Sequence, residues 1–242
     1  MKKILVCEDE ETIRDFVVIN LQRSGYTTVD VSSGEEAIKA FDESDKDFDV
    51  ALLDIMMPGI DGFEVCKHLR EKSGTIGIIM LSAKTQEMDK VRGLMLGADD
   101  YVTKPFSPSE LVARVDAIYR RVTLSSREDS AVTLLTSGDF VLNPKSRTLT
   151  KNGVLVDLTQ VEYQIMEYFF RNNDVALERS KILEQIWGDN YFGDIKIVDV
   201  NIRRLRMKLE DEPSKPLYIQ TLWGYGYKWQ GNVSAVKNTP SE

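Results

Sequence analysis

Along the first 121 residues, short apolar runs alternate with stretches whose apolar positions recur at helical spacing. Lys3–Cys7 is the first run. Ile13, Phe16, Val17 and Leu21 then share one helical face, and the pattern stops at Gly25. The cycle repeats four times: a strand over Tyr26–Val31 and a helix over Gly34–Phe41 behind a Ser33 cap; Asp49–Asp54 and Gly62–Glu71; Ile76–Leu81 and Met88–Leu96; Asp100–Thr103 and Pro108–Arg121, capped by Ser107. Five strand–helix units at this spacing predict an α/β fold, a doubly wound five-stranded parallel sheet covered on both faces.

Beyond residue 121 the periodicity breaks. The polar stretch Thr123–Ala131 marks a boundary, so we divide the chain into a first domain over 1–121, a linker over 122–131, a second domain over 132–231, and a patternless, mobile tail over 232–242. Val132–Thr150 predicts short strands with turns at Ser137-Gly138 and Asn143-Pro144. Thr159 with Glu162 three residues later is a capping box, and Val161, Ile165, Met166 and Phe169 form that helix's apolar face. Ser180 is expected to cap a second helix carrying Ile182, Leu183, Ile186 and Trp187. Gly188–Asp194 is a loop, Ile195–Glu210 a third helix, and Tyr218–Trp229 an alternating ribbon turning at Gly224-Tyr225-Gly226. Three helices and a β-ribbon describe an α+β winged helix. On the third helix Val198, Ile202, Leu205 and Leu209 cluster within about 60° and face the core. Lys196, Val200, Arg203, Arg204 and Met207 lie opposite, flanked by Asn201, Arg206 and Lys208, with Asp199 near the edge.

A length of 242 residues fits two domains, and 42% hydrophobic with 29% charged residues is ordinary for a globular chain. No apolar run approaches the roughly 18 residues of a membrane span, and acids interrupt the N-terminal apolar stretch too early for a signal peptide. Two cysteines, Cys7 and Cys66, are too few for a disulfide framework, so a cytoplasmic, reducing setting is expected. The net charge of −8 argues against a general polyanion binder, but it is unevenly distributed: residues 1–124 hold 16 basic and 23 acidic groups, residues 125–242 hold 15 and 16. Lys196–Lys208 contains five basic residues and a single acid, Asp199.

The polar residues at the strand ends supply candidate chemistry. Glu8 and Asp9 follow the first strand, Asp54 ends the third, Ser82 follows the fourth and Lys104 the fifth. All fall at the carboxyl edge of the parallel sheet, where open α/β folds bind ligands. Taken singly, each has a plain reading as a helix-start acid, a turn, a cap or a surface lysine; five at one edge do not. Converging carboxylates repel unless a cation lies between them, and oxygen-only ligands favour a hard ion such as Mg²⁺. A lysine and a hydroxyl suit phosphoryl oxygens, and a carboxylate is a recognised covalent nucleophile.

The segments KILVCEDE, ALLDIMMPGIDGFEV, IIMLSAK and GADDYVTKPFSPSEL resemble the flavodoxin-like receiver domain of two-component response regulators over nearly all of residues 1–121. The resemblance implies that Asp54 accepts a phosphoryl group from a sensor histidine kinase, that Glu8, Asp9, Asp54 and the Met56 backbone carbonyl bind Mg²⁺, that Ser82 and Lys104 hold the phosphoryl oxygens, and that Tyr101 is the switch aromatic. It also implies activation as a homodimer through the inter-subunit pairs Lys90–Glu110, Asp99–Arg114 and Asp100–Arg121. LTQVEYQIMEYF, ILEQIWG, IVDVNIRRLRMKLE and YIQTLWGYGYKW resemble the winged-helix output domain of the OmpR/PhoB class. That resemblance puts the third helix in the major groove of double-stranded promoter DNA. Asp199, Val200, Arg203 and Arg204 are then base-edge candidates, and Lys196, Asn201, Arg206 and Thr221 phosphate-positioning ones. Gly188–Asp194 matches a loop that touches RNA polymerase in some members.

Three departures stand out: Lys196-Ile197 in place of a common Arg-Thr, Asn201 in place of a His, and Trp223 in place of a wing Arg. Trp223 is expected to pack back onto the core or else to contact sugar and phosphate. No GxxxxGK[ST], GxGxxG or HExxH motif occurs, and Met56 stands where an aspartyl-phosphate phosphatase needs a second carboxylate. The expectation is a phosphorylation-activated transcription regulator, not an enzyme beyond its own Mg²⁺-dependent phosphorylation and autodephosphorylation at Asp54. The alternative is a DNA-binding regulator controlled independently of phosphorylation.

Overall fold

The structure, a computed structural model, describes residues 2–44, 47–83, 87–123, 134–189, 191 and 193–231. The first half holds β1 (Lys3–Cys7), α1 (Glu11–Arg23), β2 (Thr27–Val31), α2 (Gly34–Glu43), β3 (Val50–Asp54), α3 (Gly62–Lys72), β4 (Gly77–Ala83), α4 (Glu87–Leu96), β5 (Asp100–Lys104) and α5 (Pro108–Thr123). The five strands form one sheet in the order β2-β1-β3-β4-β5, and all neighbouring pairs run parallel. The central strand β3 is buried on both faces, as a parallel sheet between two helical layers requires. One apolar layer forms around Ile4, Val6, Val17, Leu21, Val115 and Ile118, and the other around Leu5, Phe41, Leu53, Phe63 and Leu69.

Local chemistry sets the helix starts. Ser33 accepts from the Glu36 amide, Ser107 from the Glu110 amide, and Asp61 with Glu64 completes a capping box on α3. Gly62 has no room for a side chain: a Cβ there would sit 2.1 Å from the Asp54 carbonyl oxygen. The strand end that carries Asp54 and the start of α3 are thereby held in contact.

The second half opens with an antiparallel sheet of β6 (Leu135–Ser137), β7 (Phe140–Asn143), β8 (Thr148–Lys151) and β9 (Val154–Val156). Then come α6 (Gln160–Arg171), β10 (Ala176–Glu178), α7 (Arg179–Trp187), α8 (Lys196–Leu209), β11 (Ile219–Leu222) and β12 (Gly226–Trp229). The expected capping box on α6 is present, with Thr159 and Glu162 bonding reciprocally. Ser180, by contrast, is not a cap: α7 begins at Arg179, Glu178 occupies the cap position without a side-chain bond, and the Ser180 hydroxyl donates to Glu178 instead. The ribbon gains a third strand, β10, giving the order β10-β12-β11. Trp229 is fully buried, stacks on Phe170 and Tyr218, and donates from Nε1 to Ser137 Oγ at 2.9 Å. The linker expected over 122–131 and the tail over 232–242 fall outside the described residues, apart from the last turn of α5.

Candidate functional site

The carboxyl edge of the parallel sheet collects the residues that its strand ends predict. Glu8, Asp9 and Asp54 each present a carboxylate oxygen within 4.8 Å of the others. Lys104 reaches over from the end of β5, with Nζ 2.7 Å from Glu8 Oε2 and 3.0 Å from Asp54 Oδ2. Burial pushes the Glu8 carboxyl up to about 7, even though Lys104 pulls it down. The same two carboxylates hold the Lys104 ammonium above its usual range against its own burial. Ser82 Oγ is buried and has no hydrogen-bond partner, so it is a donor aligned with the sheet edge and available to a ligand. Asp9 is exposed, Asp54 is buried, and the Met56 side chain is exposed beside them. Three clustered oxygen donors, one deep and one open to solvent, fit a hard divalent cation that keeps part of its water shell.

The charged residues expected at a two-fold interface are paired within the chain. Asp99 is bonded to Arg70 rather than to an Arg114. Arg114 bridges Asp100, at 3.0 Å, and Glu110, at 2.9 Å. The Lys90 ammonium lies 4.7 Å from the centre of the Tyr101 ring. Arg121 is in α5, but its side chain lies outside the described residues.

On α8 the core stripe is as expected, with Val198, Ile202, Leu205 and Leu209 all buried. The opposite face needs correction. Arg203 and Lys196 are exposed, but Val200 and Arg204 are buried where α4 packs against α8. Arg204 ion-pairs with Glu162 at 3.0 Å and donates to the Ala98 carbonyl at 3.3 Å. Asn201 is fully buried, donating to the Ile197 carbonyl, so its amide is turned inward rather than toward a phosphate. Asp199 is held by Arg179 at 2.8 Å and by the Tyr227 hydroxyl at 2.6 Å, which fixes α8 to α7 and to the ribbon. Arg206 grips β11 through the Ile219 carbonyl and Thr221 Oγ1. Trp223 does not pack back onto the core: it is 93% exposed at the ribbon tip, next to Gly224 with φ +74°.

Two family models match in tandem. Residues 4–116 match the response regulator receiver domain, and residues 153–229 match the C-terminal domain of transcriptional regulatory proteins. DrrB, a Thermotoga maritima OmpR/PhoB homologue, is 32% identical, with 96% of this chain and 100% of DrrB covered (TM-score 0.48). This chain belongs to the OmpR/PhoB family of two-component response regulators. Two cysteine-substituted mutants of RitR are similar across both domains of the response regulator at once. Each is 26% identical, with 95% of this chain and 99% of RitR covered, and the TM-scores are 0.74 and 0.76.

The two domains of this response regulator meet on the α4–β5–α5 side of the receiver. Trp187 Nε1 donates to the Asp99 carbonyl at 3.3 Å, and the Tyr191 hydroxyl donates to Asp100 Oδ1 at 2.8 Å. The Arg114 guanidinium lies 4.9 Å from the centre of the Tyr191 ring, and the Asp194 backbone hydrogen-bonds the Tyr101 hydroxyl. A cavity of about 310 Å³ remains between Arg70, Met95 and Gly97 on one side and Thr159, Arg204 and Met207 on the other. Sequence reasoning singled out neither Trp187 nor Tyr191 as functional, because apolar periodicity assigns Trp187 to its own domain's core and leaves Tyr191 in a loop. Two aromatics bracketing a loop were the available signal.

Proposed function

We propose that this response regulator is a phosphorylation-activated, sequence-specific transcription regulator whose phosphoacceptor is Asp54. The observation that carries the reading is the buried Ser82 hydroxyl without a partner, set at the same sheet edge as Asp54 and Lys104. An Asp54 oxygen attacks phosphorus in a phosphohistidine of the sensor kinase, the P–N bond breaks, and the imidazole leaves. Lys104 neutralises the phosphoryl oxygens and Ser82 donates to one of them. Bound at Glu8, Asp9, Asp54 and the Met56 carbonyl, Mg²⁺ would supply charge neutralisation for the incoming phosphoryl group. Tyr101 and the charges Lys90, Asp99, Asp100, Glu110, Arg114 and Arg121 belong to the face through which two phosphorylated receivers would pair. Arg203 would read a base edge in the major groove of promoter DNA, with Val200 and Arg204 joining it once uncovered. Lys196, Arg206 and Thr221 would position the phosphate backbone, and Trp223 would lie against sugar and phosphate. The loop between α7 and α8 would meet RNA polymerase. In a cytoplasmic setting these parts make a one-way relay from kinase to promoter.

Acetyl phosphate with Mg²⁺ tests this directly. Wild-type protein is expected to take up one phosphoryl group, seen as a shifted band on a phosphate-affinity gel, and Asp54→Ala none. Uptake by Asp54→Ala at the wild-type level would sink the assignment. If phosphorylation leaves binding to a duplex selected from random sequence unchanged, control independent of phosphorylation takes its place.

A further inference from the structure

The contact between the two domains uses groups that cannot serve two partners at once. Asp100 and Arg114 sit on the receiver face where a second receiver would dock, and both are already engaged by Tyr191 of the output domain, one through its hydroxyl and the other through its ring. Trp187 adds a bond to the Asp99 carbonyl and Arg204 a bond to the Ala98 carbonyl, so α7, the loop after it and α8 all rest on one short stretch of receiver backbone. Tyr191 is partly buried there and Arg114 is 7% exposed.

We infer that Tyr191 is an intramolecular competitor for the dimerisation charges, so that the closed monomer and the receiver dimer exclude each other. This rests on the proposed phosphorylation-driven dimer. The competition acts on both outputs: while Tyr191 holds Asp100 and Arg114, α4 covers Val200 and Arg204 on α8. A second receiver that recruits Asp100 and Arg114 releases Tyr191 and uncovers the helix in the same event. Phosphorylation therefore shifts a two-state equilibrium by stabilising the form without the Tyr191 contact. Couplings of this kind usually span about 5- to 150-fold in affinity.

The full-length protein tests it, using a duplex enriched from random sequence with the phosphorylated wild type. Phosphorylation is expected to tighten wild-type binding about 10-fold or more. Tyr191→Ala, unphosphorylated, is expected to bind within about 3-fold of the phosphorylated wild type, to sediment partly as dimer, and to show a larger radius of gyration. Tyr191→Phe, which keeps the ring under Arg114 and loses only the hydroxyl, is expected to fall between. Circular dichroism and phosphoryl uptake at Asp54, both expected at wild-type level, show that the variants fold. If wild type and Tyr191→Ala are switched by phosphorylation to the same extent, the competition is overturned. If neither is switched while both take up phosphoryl, the failure lies with the phosphorylation-driven reading itself.

Discussion

At the scale of single residues, burial decides reactivity as much as identity does. Cys7 ends β1 with Sγ 3.3 Å from the Met57 sulfur, and burial pushes its thiol up to about 12, helped by Asp54 and Glu8. Burial likewise pushes the Cys66 thiol up to about 11. Because the thiolate is the reactive form, both sulfurs stay protonated at pH 8 and gain reactivity only as pH approaches those values. Ellman's reagent at pH 8 is expected to label neither cysteine of the native protein and both in denaturant. Fast native labelling would show that one of them is accessible. Ser82 shows the opposite case, a buried polar atom that has its position but no partner.

At the scale of elements, Glu162 joins two helices. It closes the capping box of α6 and accepts the charges of Arg204 and Lys208 from α8, at 3.0 and 2.7 Å. Burial works to raise its carboxyl, yet Arg204 and Lys208 hold it below the usual glutamate value. An acid depressed in the folded state stabilises fully above its unfolded value and loses that contribution as pH falls through the folded one. Glu162→Gln is therefore expected to flatten the acid limb of a stability–pH profile below about pH 4.5. Glu162→Ala, which leaves Arg204 buried without its partner, is expected to lower the urea-unfolding free energy by about 3–5 kcal/mol at neutral pH. A loss under about 1 kcal/mol would mean that Arg204 finds another partner at no cost.

At the scale of the whole molecule, the strand–helix alternation made the receiver sheet legible residue by residue, because a parallel sheet places every strand end on one edge and the functional side chains follow from that. Glu8, Asp9, Asp54, Ser82 and Lys104 needed nothing more. The ribbon's third strand, β10, was not legible, since three residues carry no period to detect. Nor was the covered side of α8. A helical wheel separates the core stripe from everything else, and it cannot know that a second domain buries Val200 and Arg204. The pairing of Asp99 and Asp100 was illegible for a related reason: two adjacent acids point to opposite sides of β5, one toward Arg70 and one toward Arg114. Because Trp187, Tyr191 and Arg204 tie output to receiver, the resting protein is expected to melt in a single calorimetric transition. After phosphorylation two transitions are expected, one per domain. Two transitions in the resting protein would mean that the contact is too weak to couple the domains.

The double use of α8 also limits how this regulator can diverge. Positions 200 and 204 sit where base preference would be set, and the same side chains help fix how firmly the resting form is shut. A substitution that retargets the protein to a new operator therefore also resets the stimulus strength at which it fires. Arg203, which is exposed, is the position where operator choice can drift while that threshold stays put.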